Sequence, residues 1–291
     1  MRRTGTAIFL GGASLLILST LTSCNGGDAV GPARSDQSDA GTLLQQAQAA
    51  MWRLDSFQLQ MTGVWEGRET TYTVAWQRPD SFYVLSPDLE SQTEDDEKTI
   101  VDRGLFEAMA IGDAIYMRQC QAEGEGCDPW QEGPRGAMYV PIWAPELEPM
   151  WTIELLGLVY DAQIIGEEDV EGVACTRIQG RANIVQAMIQ SWQRIEEERG
   201  PIYWGEECTT IDSDGGAQEE CHDTTLDDYI AMLEDSLREQ DENPLPVEVW
   251  LGRDDNLMRS LGFPQVLTDE EAPPRSWTFS RFNEVDIKPP E

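Results

Sequence analysis

The sequence predicts an α+β fold in which a meandering antiparallel sheet curves around inserted apolar helices. Three observations predict it. Short segments alternate apolar and polar residues and are separated by turn residues at regular spacing. Longer segments carry apolar residues at helical spacing. The run MWTIELLGLVY, residues 150–160, holds a single charge, yet is short for a membrane span and unusually apolar for a surface helix. With 40% hydrophobic and 8% aromatic residues, the 291-residue chain has enough apolar surface for a core, and a single β-rich domain of roughly 200–250 residues fits its length.

Residues 1–23 read as a secretory signal: Arg2 and Arg3, an uncharged apolar stretch from Ala7 to about Leu21, then small residues. The string Leu21-Thr22-Ser23-Cys24 resembles a bacterial lipobox, in which Cys24 is acylated through its thiol and opens the mature protein. The expected location is therefore extracytoplasmic, in the cell envelope, with the domain anchored to a membrane by lipid at Cys24. Residues 24–41 are small and polar without apolar periodicity and read as a flexible tether. Residues 42–291 are read as one domain, with no internal repeat.

Leu44, Ala47, Met51 and Leu54 predict an amphipathic helix over residues 42–54. Phe57, Leu59, Met61 and Trp65, then Tyr72, Val74 and Trp76, alternate as half-buried antiparallel strands on either side of a turn at Glu66-Gly67. Arg78-Pro79-Asp80 is the next turn. A strand is expected at 82–85, an acidic loop at 90–97, and short strands at 99–101, 105–110 and 114–119. A proline-rich stretch precedes residues 150–160. A hairpin over 163–179 turns near Glu171-Gly172, and a helix over 183–198 presents Ile184, Met188, Trp192 and Ile195 on one face. Thr225-x-x-Asp228 resembles a capping box opening a helix that Asn243-Pro244 ends. Strands are expected again at 247–251, 257–261 and 277–287.

Five cysteines besides Cys24 lie in the exported part. Outside the cytoplasm, local pairs become disulfides, and the expected bridges are Cys120 with Cys127 around QAEGEG, and Cys208 with Cys221 around a polar loop. Cys175, in the strand-like VACTRIQ, is expected to be a buried unpaired thiol.

The charge balance, 20 Lys+Arg against 54 Asp+Glu, excludes most nucleic-acid roles, because such binding needs cations to release phosphate counterions. Between residues 206 and 242 acids face a single Arg238, and a partner docking on that face is expected to be basic. One histidine, His222, argues against a Ser-His-Asp triad and against histidine-rich zinc sites. Asp212-Ser-Asp214-Gly-Gly fails the EF-hand pattern at its fifth and sixth positions. No phosphate-binding glycine loop or dinucleotide fingerprint is present. No catalytic residue, metal or cofactor is assigned, and an enzyme is not expected.

What the strands and helices carry instead is aromatic and methionine surface. The candidate lining of an apolar cleft is Trp65, Tyr72, Trp76, Tyr116, Met150, Trp151, Leu155, Met188, Trp192 and Trp250. The strings LLQQA (43–47) with LDSF (54–57), VAWQRPD (74–80), IGDAIY (111–116), PVEVWLGRDDNL (246–257) and FSRFNEVDIKPP (279–290) resemble the superfamily of lipoprotein carriers typified by LolA, LolB, LppX and LprG. That resemblance implies an open antiparallel half-barrel whose concave face is covered by helices, with 150–160 and 183–198 as lid helices. It implies a membrane-anchored lipoprotein that binds, and beyond that transfers, a lipid or acylated ligand in the envelope. An envelope protein-interaction or stress-sensing module without lipid transfer is the alternative. The acidic insertion around Cys208 and Cys221 has no counterpart in that resemblance.

Overall fold

The computed structural model describes residues 39–65, 68–79, 81–94, 97–112, 114–134, 149–200, 206–213, 216–263 and 275–290. The signal, Cys24 and nearly all of the tether lie outside the described residues, as does the proline-rich stretch before Pro149.

Helix α1 (Asp39–Met51) buries Ala40, Leu44, Ala47 and Met51, one stripe at helical spacing. A meander follows: β1 (Ser56–Trp65), β2 (Arg68–Gln77), β3 (Ser81–Glu94), β4 (Glu97–Ile111), β5 (Ala114–Cys120) and β6 (Gln131–Pro134). Then come α2 (Met150–Leu158), the hairpin β7 (Tyr160–Val170) and β8 (Val173–Ala182), and α3 (Ile184–Arg199). A separate hairpin, β9 (Glu206–Ser213) and β10 (Gly216–Asp223), leads to α4 (Leu226–Met232) and α5 (Glu234–Glu242). Strands β11 (Leu245–Gly252), β12 (Met258–Phe263) and β13 (Arg275–Ser280) close the order.

The main sheet has 11 antiparallel strands in the order β6-β5-β4-β3-β2-β1-β13-β12-β11-β8-β7. The first and last strands therefore meet in its middle, where Leu59 pairs with Phe279 on one side and Val74 on the other. Neither β6 nor β7 pairs onward among the described residues, so the curved sheet is an unclosed half-barrel. Register fixes which side chains share a face, since opposed residues point the same way. One face collects Phe57, Leu59, Val74, Trp76, Phe82, Val84, Ala108, Ile115, Ile178, Val249, Leu261 and Phe279, all buried in one cluster with α1 and α2. Helix α3 bridges this core to a smaller one, in which Val185, Ile189 and Trp192 meet Leu226 of α4.

The termini of α3 explain how α5 is held. The Asn183 side chain accepts from Gln186 N at 3.0 Å and donates to Leu237 O and Asp241 Oδ1 at 3.2 and 2.7 Å. Gln240 Oε1 accepts from Ile184 N at 2.8 Å, so one helix end satisfies the other's free N–H groups. The expected capping box at Thr225 and Asp228 is present.

Several expectations are corrected. Helix α1 begins at Asp39, inside the expected tether. The acidic segment 90–97 is not a loop: β3 runs to Glu94 and β4 starts at Glu97, with Glu90 paired to Val101 and Gln92 to Thr99. Charge density was read as loop, but the ladder is made by backbone groups that every residue type carries. The segments at 99–101 and 105–110 are accordingly one strand. The polar stretch between Cys208 and Cys221 is likewise a hairpin, which places those two cysteines directly opposite each other. The expected helix over 225–243 is two helices that break at Leu233, and the last strand stops at Ser280.

Replacing Asn183 by Ala removes the α3 cap and two bonds to α5. Thermal and urea unfolding should show a loss of about 1–2 kcal/mol, with amide exchange in α5 rising more than in β11.

Candidate functional site

Helix α2 sets the geometry of the interior. Every residue from Met150 to Leu156 is buried, so the helix has no solvent-facing side over most of its length. Its floor is the helix-covered face of the sheet: Trp151 stands edge-on to Trp277 at 5.7 Å and tilted over Phe263 at 6.4 Å between ring centroids. The exit from α2 fits because β8 carries Gly180 on this face, where a Cβ would collide with Val159.

One charge enters this layer. Glu154 is 4% exposed, and its Oε1 accepts from Arg194 Nε of α3 at 2.6 Å. Gln48 of α1 donates to Ile153 O at 3.2 Å and lies 3.5 Å from Glu154 Oε2. The Arg194 guanidinium covers the Trp52 ring at 4.4 Å. The three helices are thus tied through a single carboxylate. Beneath them, the indole N–H groups of Trp76 and Trp277 are buried without a hydrogen-bond partner among the described residues. Each such orphan costs roughly 1–3 kcal/mol unless something accepts from it.

The ten candidate cleft residues divide between two faces. Trp76, Met150, Trp151 and Leu155 lie together in the interior, each at most 5% exposed. Tyr72 shares their face through its register with Met61. Met188 packs against both cores, and Trp192 lies in the seam between α3 and α4, 5.3 Å from the Tyr229 ring. Trp65 ends β1 opposite Arg68. Tyr116 and Trp250 lie away from the interior. Tyr116 pairs with Met109, one residue out of step with the core positions Ile115 and Ala110, and so lies on the opposite face. Trp250 lies between Val249 and Leu251, also on that outer face, where its Nε1 donates to Glu168 at 3.0 Å under the Arg177 guanidinium. Arg177 is held in turn by Glu248 at 2.7 Å, so Trp250 belongs to a surface ion-pair lattice.

Two further outer-face features were not foreseen. Glu107, 3% exposed, accepts from Arg118 Nε and Nη2 at 2.8 and 2.6 Å. Arg118 in turn covers Trp130 at 4.3 Å. Cys120 and Cys127 are bridged beside it. Among the described residues, Glu107 and these two cysteines are the group whose ligand atoms lie close enough for a metal, but both sulfurs are committed to the disulfide. Cys175 is free and fully buried, and that burial pushes its thiol pKa up. Burial, reinforced by Glu107, likewise raises the Tyr83 phenol and keeps it neutral. The second unforeseen feature is a cleft of about 310 Å³ between β2–β4 and the chain that follows β13.

No family model matches the chain, and no curated protein matches it. Among solved structures, the chain is similar to LprF from Mycobacterium bovis, with 11% identity and a TM-score of 0.47 over 87% of this chain and 96% of that one. It is similar to the Mycobacterium tuberculosis lipoprotein LppX at 15% identity and a TM-score of 0.39, over 87% and 99% of the two chains. The Pseudomonas aeruginosa MucA/MucB complex follows at 12% identity and 0.30, over 83% of this chain and 56% of that one.

Arg194→Ala leaves the Glu154 carboxylate buried with only a long amide contact, and should cost about 2 kcal/mol in urea unfolding. The double variant Glu154→Leu/Arg194→Leu should lose less, because no buried charge remains. Stability should also fall as pH rises past about 10, where the unfolded chain releases tyrosine protons that buried Tyr83 retains. Tyr83→Phe should flatten that slope.

Proposed function

We propose that this protein is an envelope lipoprotein, anchored through acylated Cys24, that binds a hydrophobic ligand between the concave sheet face and its helix layer. The observation that carries this reading is α2: a short, mostly apolar helix buried on every side over most of its length, laid over an aromatic floor. An acyl chain in its place would meet the same apolar surroundings, and an ester or carboxylate oxygen on the ligand would accept from the orphaned Trp277 N–H. The ion pair between Glu154 and Arg194 is then the tie that must yield for α2 to move. Burial of acyl surface contributes about 0.8 kcal/mol per methylene, so affinity should rise roughly fourfold for each added CH₂. Transfer of the ligand between membranes belongs to the same proposal. The acidic stretch 206–242 supports an orientation away from anionic headgroups, with the lipid anchor rather than electrostatics holding the domain at the membrane.

A second reading, a protein-interaction module without cargo, is favoured by one observation. Trp76, Met150, Trp151 and Leu155 are packed into the core.

Protein purified from its own host should release lipid into organic solvent, detected by mass spectrometry, and should bind fatty acids more tightly as chain length increases. No co-purified lipid and no fatty-acid binding would select the interaction module. Labelled palmitate should enter the wild-type chain and be absent from Cys24→Ala.

A further inference from the structure

The cleft on the outer face is separate from the interior, since the sheet lies between them. Its floor is a transverse row set by register: Ala75 opposite Tyr83, and Tyr83 opposite Met109, across β2, β3 and β4. Its wall is the chain after β13, which is fixed in place. Asn283 N donates to Ser56 O at 2.8 Å, Val285 N to Ser56 Oγ at 3.1 Å, and Ile287 N to Gln77 Oε1 at 2.6 Å. Floor and wall offer the apolar surfaces of Ala75, Met109, Val285 and Ile287, and Tyr83 lines the same cleft with its neutral phenol.

The rim carries charge of the opposite sign to the rest of the molecule. Arg281 lines the cleft, and its partners are neutral oxygens, Gln58 Oε1 and Glu284 O, both at 3.3 Å. By contrast, Arg118, Arg177, Arg194, Arg238, Arg253 and Arg259 each pair with a carboxylate, while Arg53 and Arg78, which like Arg281 bond neutral oxygens, are spent on backbone carbonyls at the end of α1 and do not line the cleft. In a chain with 54 acids to 20 Lys+Arg, a cleft arginine without a carboxylate is a guanidinium left for something else. Lys288 and Asp286, also at the rim, offset each other at 2.5 Å, which leaves Arg281 as the uncompensated charge. At about 310 Å³ the cleft is at the small end of the roughly 300–1,000 Å³ range of ligand sites.

We propose that this outer-face cleft is a second binding site, for a small amphipathic monocarboxylate whose anion pairs with Arg281 and whose short apolar body lies on Met109 and Ala75 between β2–β4 and the C-terminal segment. The site is distinct from the interior one and does not depend on it.

The test uses the whole chain with ¹³C-methyl-labelled methionine, titrated with sodium octanoate. The Met109 methyl signal should shift saturably. Arg281→Gln should weaken that binding at least tenfold, and Asp286→Asn, which removes a carboxylate from the cleft lining, should tighten it. Octan-1-ol should shift Met109 only at much higher concentration. The proposal is overturned if Met109 does not shift, if Met150 or Met188 shifts in its place, if Arg281→Gln binds as the wild type does, or if the alcohol matches octanoate.

Discussion

The structure is organised by where the surface of α2 can go. A helix whose apolar residues fall all around its circumference has no face to give to water, so it must be covered on all sides, its Thr152 and Glu154 included. The sheet alone covers one side. Helices α1 and α3 supply the rest, and the one carboxylate on α2 is usable only because Arg194 and Gln48 reach it. Helix α1, ahead of the sheet in sequence, and α3, within the insertion before β11, are the elements that enclose this segment. The β1–β13 pairing then ties the two ends of the domain together in the middle of the sheet.

The sheet divides the molecule chemically as well as spatially. On the helix side the buried side chains are mostly apolar and aromatic, with the Glu154–Arg194 ion pair among the described residues. The outer side carries the ion-pair lattice around Trp250 and Arg177, the Glu107–Arg118 pair beside the disulfide, and the cleft roofed by the C-terminal segment. The partly exposed pairs around Arg177 contribute little stability singly, whereas Glu107 is buried and depends on Arg118. Their effect is local: they fix the positions of aromatic rings.

Much of the fold was legible in the sequence. Strand alternation, the α2 run and the Thr225 capping box each report a local requirement, and each is where the pattern puts it. Which side chains share the helix-covered face was legible only in part. For β11 the signal was available, because Val247, Val249 and Leu251 alternate and leave Trp250 on the other side. For β5 it was not: in AIYMRQC apolar residues fall on both faces, and only pairing with β4 decides that Ile115 faces inward and Tyr116 outward. The acidic hairpins were missed because composition registers charge, whereas a ladder is held by the backbone. The outer cleft was invisible because its wall and floor lie some two hundred positions apart in the chain and meet only through the central strands.

The proposed function requires α2 to be displaceable from the aromatic floor beneath it. Amide hydrogen exchange across residues 150–158, measured with and without a long-chain fatty acid, tests it most directly. The account predicts that α2 opens at lower free energy than β1 and β13, and that ligand changes protection in α2 while leaving those strands unaltered. Exchange of α2 only through global unfolding, insensitive to fatty acid, would contradict it.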